Sequence, residues 1–244
     1  MNKKAPKLIL RESSLSDVTK KWSSGCFLEL GAGTGQMTQF FLDKGYHGAC
    51  YDLGEESRNA IRQNLISYSG KIDVVDDIKV LPTESFDYIF AFEVLEHIED
   101  DIAAIQTWTR HLKPAGNILL SVPAHQKKFG KSDEIVGHIR RYEKKELYRL
   151  LLQSGYKDIN IINYGFPLTE LTRTISNLLL FFETSHETWT MTERSIKSSY
   201  TRPLFITQCI NLLSGKFILP FCLLQKLFYP LDWGDGYIAF AKKL

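Results

Sequence analysis

The sequence predicts an α/β fold, a doubly wound and mostly parallel sheet of seven strands with helices on both faces. Two observations support this prediction. Short apolar runs alternate along the chain with segments in which apolar residues recur at helical spacing. The first run is followed at once by three glycines at alternate positions and then by a helical segment. Because parallel neighbours need a crossover connection, strands that alternate with helices favour parallel pairing.

The strands are predicted from apolar runs, most of which end at glycine, proline or aspartate. Their ranges are 26–30, 48–51, 72–75, 86–92, 117–122, 156–164 and 236–242. Helices are expected before residue 24, between residue 37 and Gly45, before Gly70, and over residues 143–153. The helix after the fourth strand is expected to reach Leu112 and to end at Pro114 and Gly116.

The composition excludes several classes of protein. Charged residues make up 24% of the 244 residues and the net charge is +2, so charge alone indicates neither a nucleic-acid nor a membrane partner. The apolar run near the N-terminus is too short for a signal peptide, and no run of about 18 apolar residues predicts a membrane span. Four cysteines without C-x-x-C spacing are typical of reduced core residues in a cytoplasmic protein: Cys26, Cys50, Cys209 and Cys222.

Residues 1–244 are predicted to form one domain, with a helical insertion over residues 166–234. The insertion separates the last two strands and is too long for a plain loop. Helical patterns occur near residues 168–182 and 204–229, and much of the segment is apolar. We expect it to cap the substrate pocket. Three interpretations of its apolar surface stay open: buried helix packing, contact with a lipophilic acceptor or a membrane surface, and a homodimer interface.

The most informative stretch is residues 27–35, in which Gly31, Gly33 and Gly35 follow an apolar strand. Glycine permits positive φ in a tight turn and lets the backbone approach a ligand closely. A dinucleotide fingerprint requires the spacing G-x-G-x-x-G, whereas Gln36 stands at the position of its last glycine. Glu29 precedes the turn by two residues, and its carboxylate repels a phosphate but suits a cationic or amine-bearing ligand.

This stretch, Glu29-Leu-Gly-Ala-Gly-Thr-Gly35, resembles the first motif of the class I S-adenosylmethionine (SAM)-dependent methyltransferases. Residues 86–98 and 112–123 resemble the family's fourth strand and the approach to its fifth. The resemblance covers about residues 25–165 and the last strand. It implies a Rossmann-like fold, SAM as the cofactor, and a SAM site in the first loop made of Glu29, Gly31, Ala32, Gly33 and Gly35.

The resemblance also implies SAM-binding residues at the ends of the next strands. Asp52, with Leu53 beside it, is expected to accept hydrogen bonds from the ribose hydroxyls. Asp76 or Asp77 is expected at the adenine amino group, and the choice between them stays open. The remaining two members of the implied site are Ile78, which packs on the adenine ring, and Glu93, near the methionine end.

Glu93, Glu96 and His97 form the pattern E-x-x-E-H at the end of the fourth strand. In a helix starting there these side chains would share one face, and carboxylates and imidazole are ligands for Mg²⁺ or Mn²⁺. The pattern resembles that of the small-RNA 3′-terminal 2′-O-methyltransferases and the ubiquinone-biosynthesis O-methyltransferases, which add a distal histidine. His138 resembles that histidine, and His125 is a second candidate. One hypothesis is therefore a metal site of Glu93, Glu96, His97 and His138.

The alternative without a metal assigns the chemistry to the side chains themselves. His97 or His138, with Glu96, then takes the proton of the acceptor, because imidazole titrates near neutral pH. A third interpretation also stays open, in which these groups only shape the pocket.

These observations predict a SAM-dependent methyltransferase that methylates a small or lipophilic acceptor, most simply at oxygen. Seven lysine and arginine residues within residues 123–146 indicate either a solvated loop or a lid that attracts an anionic acceptor. Two alternatives stay open. In one, the acceptor is the ribose 2′-hydroxyl of an RNA, although no strongly basic face favours nucleic acid. In the other, the protein is a non-catalytic SAM-fold partner of other proteins.

Overall fold

A computed structural model describes residues 4–182 and 218–244, with only the backbone described for residues 176–182. Seven strands in this part of the chain form one sheet. They are β1 Cys26–Leu30, β2 His47–Tyr51, β3 Ile72–Val75, β4 Phe86–Phe92, β5 Leu112–Pro123, β6 Tyr156–Tyr164 and β7 Gly236–Lys243. Their order across the sheet is β3-β2-β1-β4-β5-β7-β6.

Eight helices are described. They are α1 Pro6–Val18, α2 Gln36–Leu42, α3 Glu55–Asn64, α4 Asp101–Thr109, α5 Lys131–Val136, α6 Lys144–Gln153, α7 Leu168–Phe182 and α8 Leu219–Leu224. Short 3₁₀ turns occupy Ile66–Tyr68, Ile78–Val80, Leu95–His97, Gln126–Lys128 and Gln225–Phe228.

Strands β1 to β5 pair in parallel, and β7 runs antiparallel between β5 and β6. The carboxyl ends of the parallel strands therefore meet at one edge of the sheet. The chain order reverses between β1 and β4, and ligands of open α/β sheets bind outside the strands at such a point.

Alternate side chains of the central strands enter two hydrophobic cores, one on each face of the sheet. On one face, the ring centroids of Phe27 and Phe90 lie 5.2 Å apart, and Phe41 of α2 packs 4.2 Å from Phe90. On the other face, Leu28 of β1 joins a cluster that includes Trp108 of α4. Both faces are covered by helices, and this arrangement holds the strand ends in place.

The predicted fold class is confirmed, and four of the predicted strands have the observed bounds. The fifth strand is longer than predicted, because it begins at Leu112 rather than at residue 117. The preceding helix accordingly ends at Thr109 and not near Leu112. Leu112 pairs with Phe86 in parallel register, and the register shifts before Tyr88 pairs with Asn117. A buried leucine satisfies a helical pattern and a strand pattern equally well, so periodicity misplaced this boundary.

The insertion is described at its two ends. Helix α7 confirms the helix predicted over residues 168–182, and α8 lies within the pattern predicted over residues 204–229. Residues 183–217, which include Cys209, lie outside the described residues. Buried Ile218 and Cys222 pack against Leu10 of α1, and Gln225 Nε2 donates a hydrogen bond of 3.0 Å to the Leu10 carbonyl. None of the described helices combines the length and apolarity that crossing a bilayer requires.

The close approach of β1 and β2 provides a test of stability. A Cβ on Gly48 would lie 1.9 Å from the carbonyl oxygen of Phe27, and φ of Gly48 is 152°. We predict that Gly48→Ala lowers the free energy of unfolding by about 3 kcal/mol or more, because the β1 backbone must shift. The control Gly70→Ala also has positive φ but meets no atom within 4 Å, and it is expected to cost only ~1 kcal/mol. Urea unfolding measures both, and equal losses would contradict the prediction.

Candidate functional site

The glycine loop between β1 and α2 lies at the carboxyl edge of the sheet. Its three glycines have positive φ, 69° at Gly31, 59° at Gly33 and 79° at Gly35. A Cβ on Gly33 would meet no atom within 4 Å, so the loop leaves an open concavity there. The N–H groups of Gly31 and Ala32 donate to the Tyr51 carbonyl at 2.9 and 3.1 Å. These bonds hold the loop against β2.

Asp52, at the end of β2, joins the glycine loop to the next turn. Its Oδ2 accepts a hydrogen bond of 2.8 Å from the Gly33 N–H, and its Oδ1 accepts one of 3.2 Å from the Gly54 N–H. A carboxylate has about four acceptor positions, so positions for the hydroxyl groups of a ligand remain. Leu53 beside it is 86% exposed and presents an apolar surface.

The two aspartates after β3 have different surroundings. Asp76 is exposed and accepts hydrogen bonds from Arg58 at 2.9 Å and Arg62 at 2.8 Å, which lower the pKa of its carboxyl. Asp77 accepts a bond of 2.9 Å from the Lys79 N–H and caps the turn that carries Ile78. The geometry therefore favours Asp77, which no arginine engages in the described part of the chain, for contact with an adenine.

Glu29 lies below the glycine loop and is 1% exposed. The hydroxyl of Thr38 in α2 donates a hydrogen bond of 2.6 Å to its Oε2. Burial raises the pKa of Glu29 to about 8 against the effect of this bond and of the Arg11 charge. A cation above the loop would favour the ionised form, which agrees with the predicted preference for a cationic ligand.

Glu93 follows β4 with a φ of 58°, an unusual conformation for a residue with a side chain. Lys7 Nζ lies 2.9 Å from its Oε2, Arg11 Nη1 lies 3.5 Å from its Oε1, and the Ser121 hydroxyl donates to Oε1 at 3.2 Å. Burial opposes ionisation, but the two cations outweigh it and hold the pKa of Glu93 well below its usual range. Lys7 and Arg11 belong to α1, which the sequence analysis did not include in the site.

Glu96, His97 and His138 converge beside Glu93. One ligand atom from each of the three lies within 4.8 Å of the others. Glu96 is fully buried, and among the described residues neither of its carboxylate oxygens has a hydrogen-bond partner. Burial, together with the charge of Glu93, raises the pKa of Glu96 well above its usual value. Burial and the neighbouring His138 lower the pKa of His97, so neutral imidazole is favoured there.

The condition under which Glu93, Glu96 and His97 would share a helical face is not met. The chain forms a 3₁₀ turn over Leu95–His97, and Glu93 lies before it in a left-handed conformation. Glu93 therefore points to Lys7 and Arg11 instead of sharing a helical face with Glu96. Of the four side chains in the metal hypothesis, three converge and Glu93 is held in ion pairs.

His138 is held by Asp133, to which no sequence motif pointed, and lies beside Glu96. Its Nδ1 lies 2.8 Å from Asp133 Oδ1, and its Nε2 lies 3.6 Å from Glu96 Oε1. Asp133 in turn accepts hydrogen bonds from Arg141, whose Nη1 contacts Asp235 at 2.8 Å. The aspartate and arginine occur in the sequence as part of a charged loop, and only the fold shows that they are buried.

The other candidate histidine, His125, lies outside this cluster. It is buried, has a φ of 65°, and lies 3.5 Å from Glu143 and 3.6 Å from Asp232. Several cations of the predicted lid are also engaged within the protein, since Lys128 pairs with Glu170 and Arg140 with Asp101.

The open glycine loop, the acid at the end of β2 and the polar cluster after β4 lie at the carboxyl ends of parallel strands in one α/β sheet. Comparison with known proteins identifies the family. A family model described as "Methyltransferase domain" matches residues 1–161. Because this match covers more than half of the chain, the protein belongs to the class I SAM-dependent methyltransferases.

Individual relatives are more distant. A ubiquinone biosynthesis O-methyltransferase of Xanthomonas oryzae pv. oryzae is 32% identical over 98 residues, which cover 38% of this chain and 41% of that protein. The chain thus matches about two fifths of the length of such curated relatives.

Solved structures show the same fold. A SAM-dependent methyltransferase from Archaeoglobus fulgidus has a TM-score of 0.57 at 17% identity and covers 98% of this chain and 95% of its own. Phosphoethanolamine N-methyltransferase 2 of Haemonchus contortus, in complex with SAM, has a TM-score of 0.57 at 16% identity, with 94% and 51% covered. The predicted family and enzyme class are confirmed, and SAM is supported as the cofactor. The individual site residues and the metal ion stay predictions.

The buried carboxyl of Glu29 predicts a pH-dependent stability. The unfolded chain ionises Glu29 near its ordinary pKa, while the folded protein keeps the proton up to about pH 8. The unfolded state therefore releases its proton first, and this residue lowers the free energy of unfolding as the pH rises between those values. We predict that Glu29→Gln, which still accepts the bond from Thr38, is more stable than the wild type at about pH 8 by ~2 kcal/mol or more.

Urea unfolding at about pH 5 and about pH 8 measures this difference. Glu55→Gln, which changes an exposed carboxylate in α3, is the matched control and is expected to leave the pH dependence unchanged. The same pH dependence in Glu29→Gln and the wild type would contradict the assignment.

Proposed function

We propose that the protein transfers the methyl group of SAM to a hydroxyl oxygen of a small or lipophilic acceptor. The observation that carries this proposal is the position of two features side by side. The open glycine loop with Asp52 lies at the ends of β1 and β2. Buried Glu96 and half-buried His97 follow the adjacent strand β4, and half-buried His138 lies against them. The glycine loop and Asp52 suit a nucleoside. The cluster of Glu96, His97 and His138 suits the removal of a proton from the acceptor.

The residues present fit SAM. The concavity over Gly33 admits a ligand, Asp52 keeps acceptor positions for ribose hydroxyls, and Leu53 and Asp77 flank the place of the adenine. Near the methionine end, Glu93 suits an ammonium group. Lys7 and Arg11 suit a carboxylate there, and the buried Nε of Arg11 has no hydrogen-bond partner within the described residues. When bound, SAM supplies a methyl group that its sulfonium already makes electrophilic.

The chain contributes position, water exclusion and a proton acceptor. Buried side chains on both sides of β4 keep water away from the acceptor, and orientation alone accounts for a large part of such catalysis. The hydroxyl of the acceptor must lose its proton as the new bond forms. We assign this proton to Nε2 of His138, with neutral His97 and Glu96 as its neighbours.

Methylation at oxygen and the lipophilic character of the acceptor are supported by separate observations. The curated relatives named above are O-methyltransferases by name. Leu219, Leu223 and Leu227 recur every four residues across α8 and the turn after it, and they are 58%, 67% and 73% exposed. Trp233 beside this row is 53% exposed. Such a row suits an apolar acceptor delivered from a membrane surface, and a homodimer contact is the competing use of it.

Labelling identifies the acceptor. Cell extract is incubated with the protein and methyl-labelled SAM and is then divided into organic-soluble, aqueous small-molecule and RNA fractions. We predict label in organic-soluble small molecules as a base-stable methyl ether. Label confined to RNA would favour the ribose methyltransferase, and no label in any fraction would favour the non-catalytic partner.

The Asp52→Ala variant serves as the test of the site. Loss of the ribose contacts is expected to weaken SAM binding about 100-fold, since hydrogen bonds to a charged group contribute roughly 1.5–3 kcal/mol each. Asp73→Ala, which changes an exposed aspartate in β3, is the matched control with expected normal labelling.

A metal-dependent form of the reaction is the second candidate, favoured by the convergence of Glu96, His97 and His138. Their carboxylate and imidazole donors suit Mn²⁺ or Mg²⁺, and such an ion would lower the pKa of a bound hydroxyl. This candidate predicts that EDTA abolishes labelling, that Mn²⁺ restores it, and that His138→Gln loses Mn²⁺ binding in titration calorimetry. Full labelling in EDTA would leave direct proton transfer to His138 as the mechanism.

A further inference from the structure

The carboxylate of Asp133 is buried, with 1% exposure, and it accepts hydrogen bonds from the backbone and from Arg141. Its Oδ2 accepts from the Gly130 N–H at 2.9 Å, and the Arg141 Nε–H lies 2.9 Å from Oδ1 and 3.0 Å from Oδ2. The third partner is Nδ1 of His138, 2.8 Å from Oδ1. Because an ionised carboxylate has no proton to donate, the proton of this last bond must belong to the histidine.

Arg141 keeps Asp133 in the ionised form. The Arg141 guanidinium and the Gly130 N–H both donate to this carboxylate, and hydrogen bonds donated to a carboxylate favour its charged form. The guanidinium is anchored on its other side, because Nη1 donates to Asp235 Oδ1 at 2.8 Å and to the Ala124 carbonyl at 3.2 Å.

We propose that Asp133 is a positioning residue that holds His138 with the proton on Nδ1 and the lone pair on Nε2, facing Glu96. This inference rests on the proposed function only in that His138 acts on the acceptor. Direct proton transfer and the metal-dependent reaction both need the lone pair on Nε2. A neutral histidine takes a proton, or binds a cation, through its unprotonated nitrogen. The other tautomer would place a hydrogen toward Glu96 and have no lone pair there.

The series of contacts that holds His138 continues into the insertion. Asp235, which precedes β7, also lies 3.0 Å from Arg173 Nε of α7. The position of His138 therefore depends on the segment that we expect to cap the acceptor, through Arg173, Asp235, Arg141 and Asp133 in turn.

The test is the tautomer of His138, read from ¹⁵N chemical shifts and two-bond ¹⁵N–¹H couplings of the full chain. Spectra are taken at about pH 9, above the ordinary pKa of histidine, and His138→Gln identifies the His138 signals. The wild type is expected to show protonated Nδ1 and unprotonated Nε2. Protonated Nε2 in the wild type would overturn the proposal.

Asp133→Asn probes the cause. If the amide nitrogen took the Oδ2 position, it would face two donors, the Gly130 N–H and the Arg141 Nε–H. If it took the Oδ1 position, it would face one donor, Arg141, and His138 Nδ1, which is able to accept. We therefore expect the amide to donate to His138 Nδ1 and to reverse the tautomer, as replacing the aspartate of a catalytic triad by asparagine does. An unchanged tautomer in Asp133→Asn would overturn the proposal.

Two further measurements separate this proposal from the proposed function. Asp133→Asn should bind SAM with the affinity of the wild type and lose roughly 10–100-fold in labelling rate. Glu134→Gln, an exposed neighbour in α5, should match the wild type in both. A wild type that shows the expected tautomer but labels no acceptor would reject the proposed function alone, whereas normal labelling by Asp133→Asn would reject the role of Asp133.

Discussion

The hydrogen bond between the Gly33 N–H and the Asp52 carboxylate, 2.8 Å long, is the contact on which the rest of the site depends. It joins the loop after β1 to the end of β2, and it is made by a residue whose φ of 59° few side chains tolerate. The bond holds the loop open above the sheet edge while leaving acceptor positions on the carboxylate. The space over Gly33 is open, and Glu96 and His97 follow the adjacent strand β4 at the same edge of the sheet.

Ion pairs and burial give the two carboxyl groups after β4 different protonation states. Glu93 and Glu96 are three residues apart, yet two cations hold Glu93 ionised while burial favours the protonated form of Glu96. This separation follows from packing, because Lys7 and Arg11 of α1 reach only the first of the two carboxylates with ion pairs. The two neighbouring carboxyl groups therefore favour different protonation states.

The sequence predicts the fold well, and it predicts that Gly33 and Asp52 come together, because local patterns encode both. Gly33 and Asp52 each stand at the end of an apolar strand, and parallel pairing brings such ends together without further information. The reacting half depends on tertiary contacts. Arg11 lies 82 positions before Glu93 in the chain, and no pattern shows that Asp133, in a charged loop, is buried beneath a histidine. The E-x-x-E-H pattern likewise suits an α-helix and a 3₁₀ turn equally well, and only packing decides between them.

Titration calorimetry with nucleoside ligands tests the central claim most directly. The account predicts that SAM and its demethylated product bind one site with dissociation constants in the micromolar range, whereas NAD, which carries a pyrophosphate, does not bind. The absence of a glycine at position 36 opposes a pyrophosphate, because the dinucleotide fingerprint requires a glycine there. Binding of NAD at this loop, or no binding of either sulfur nucleoside, would contradict the account.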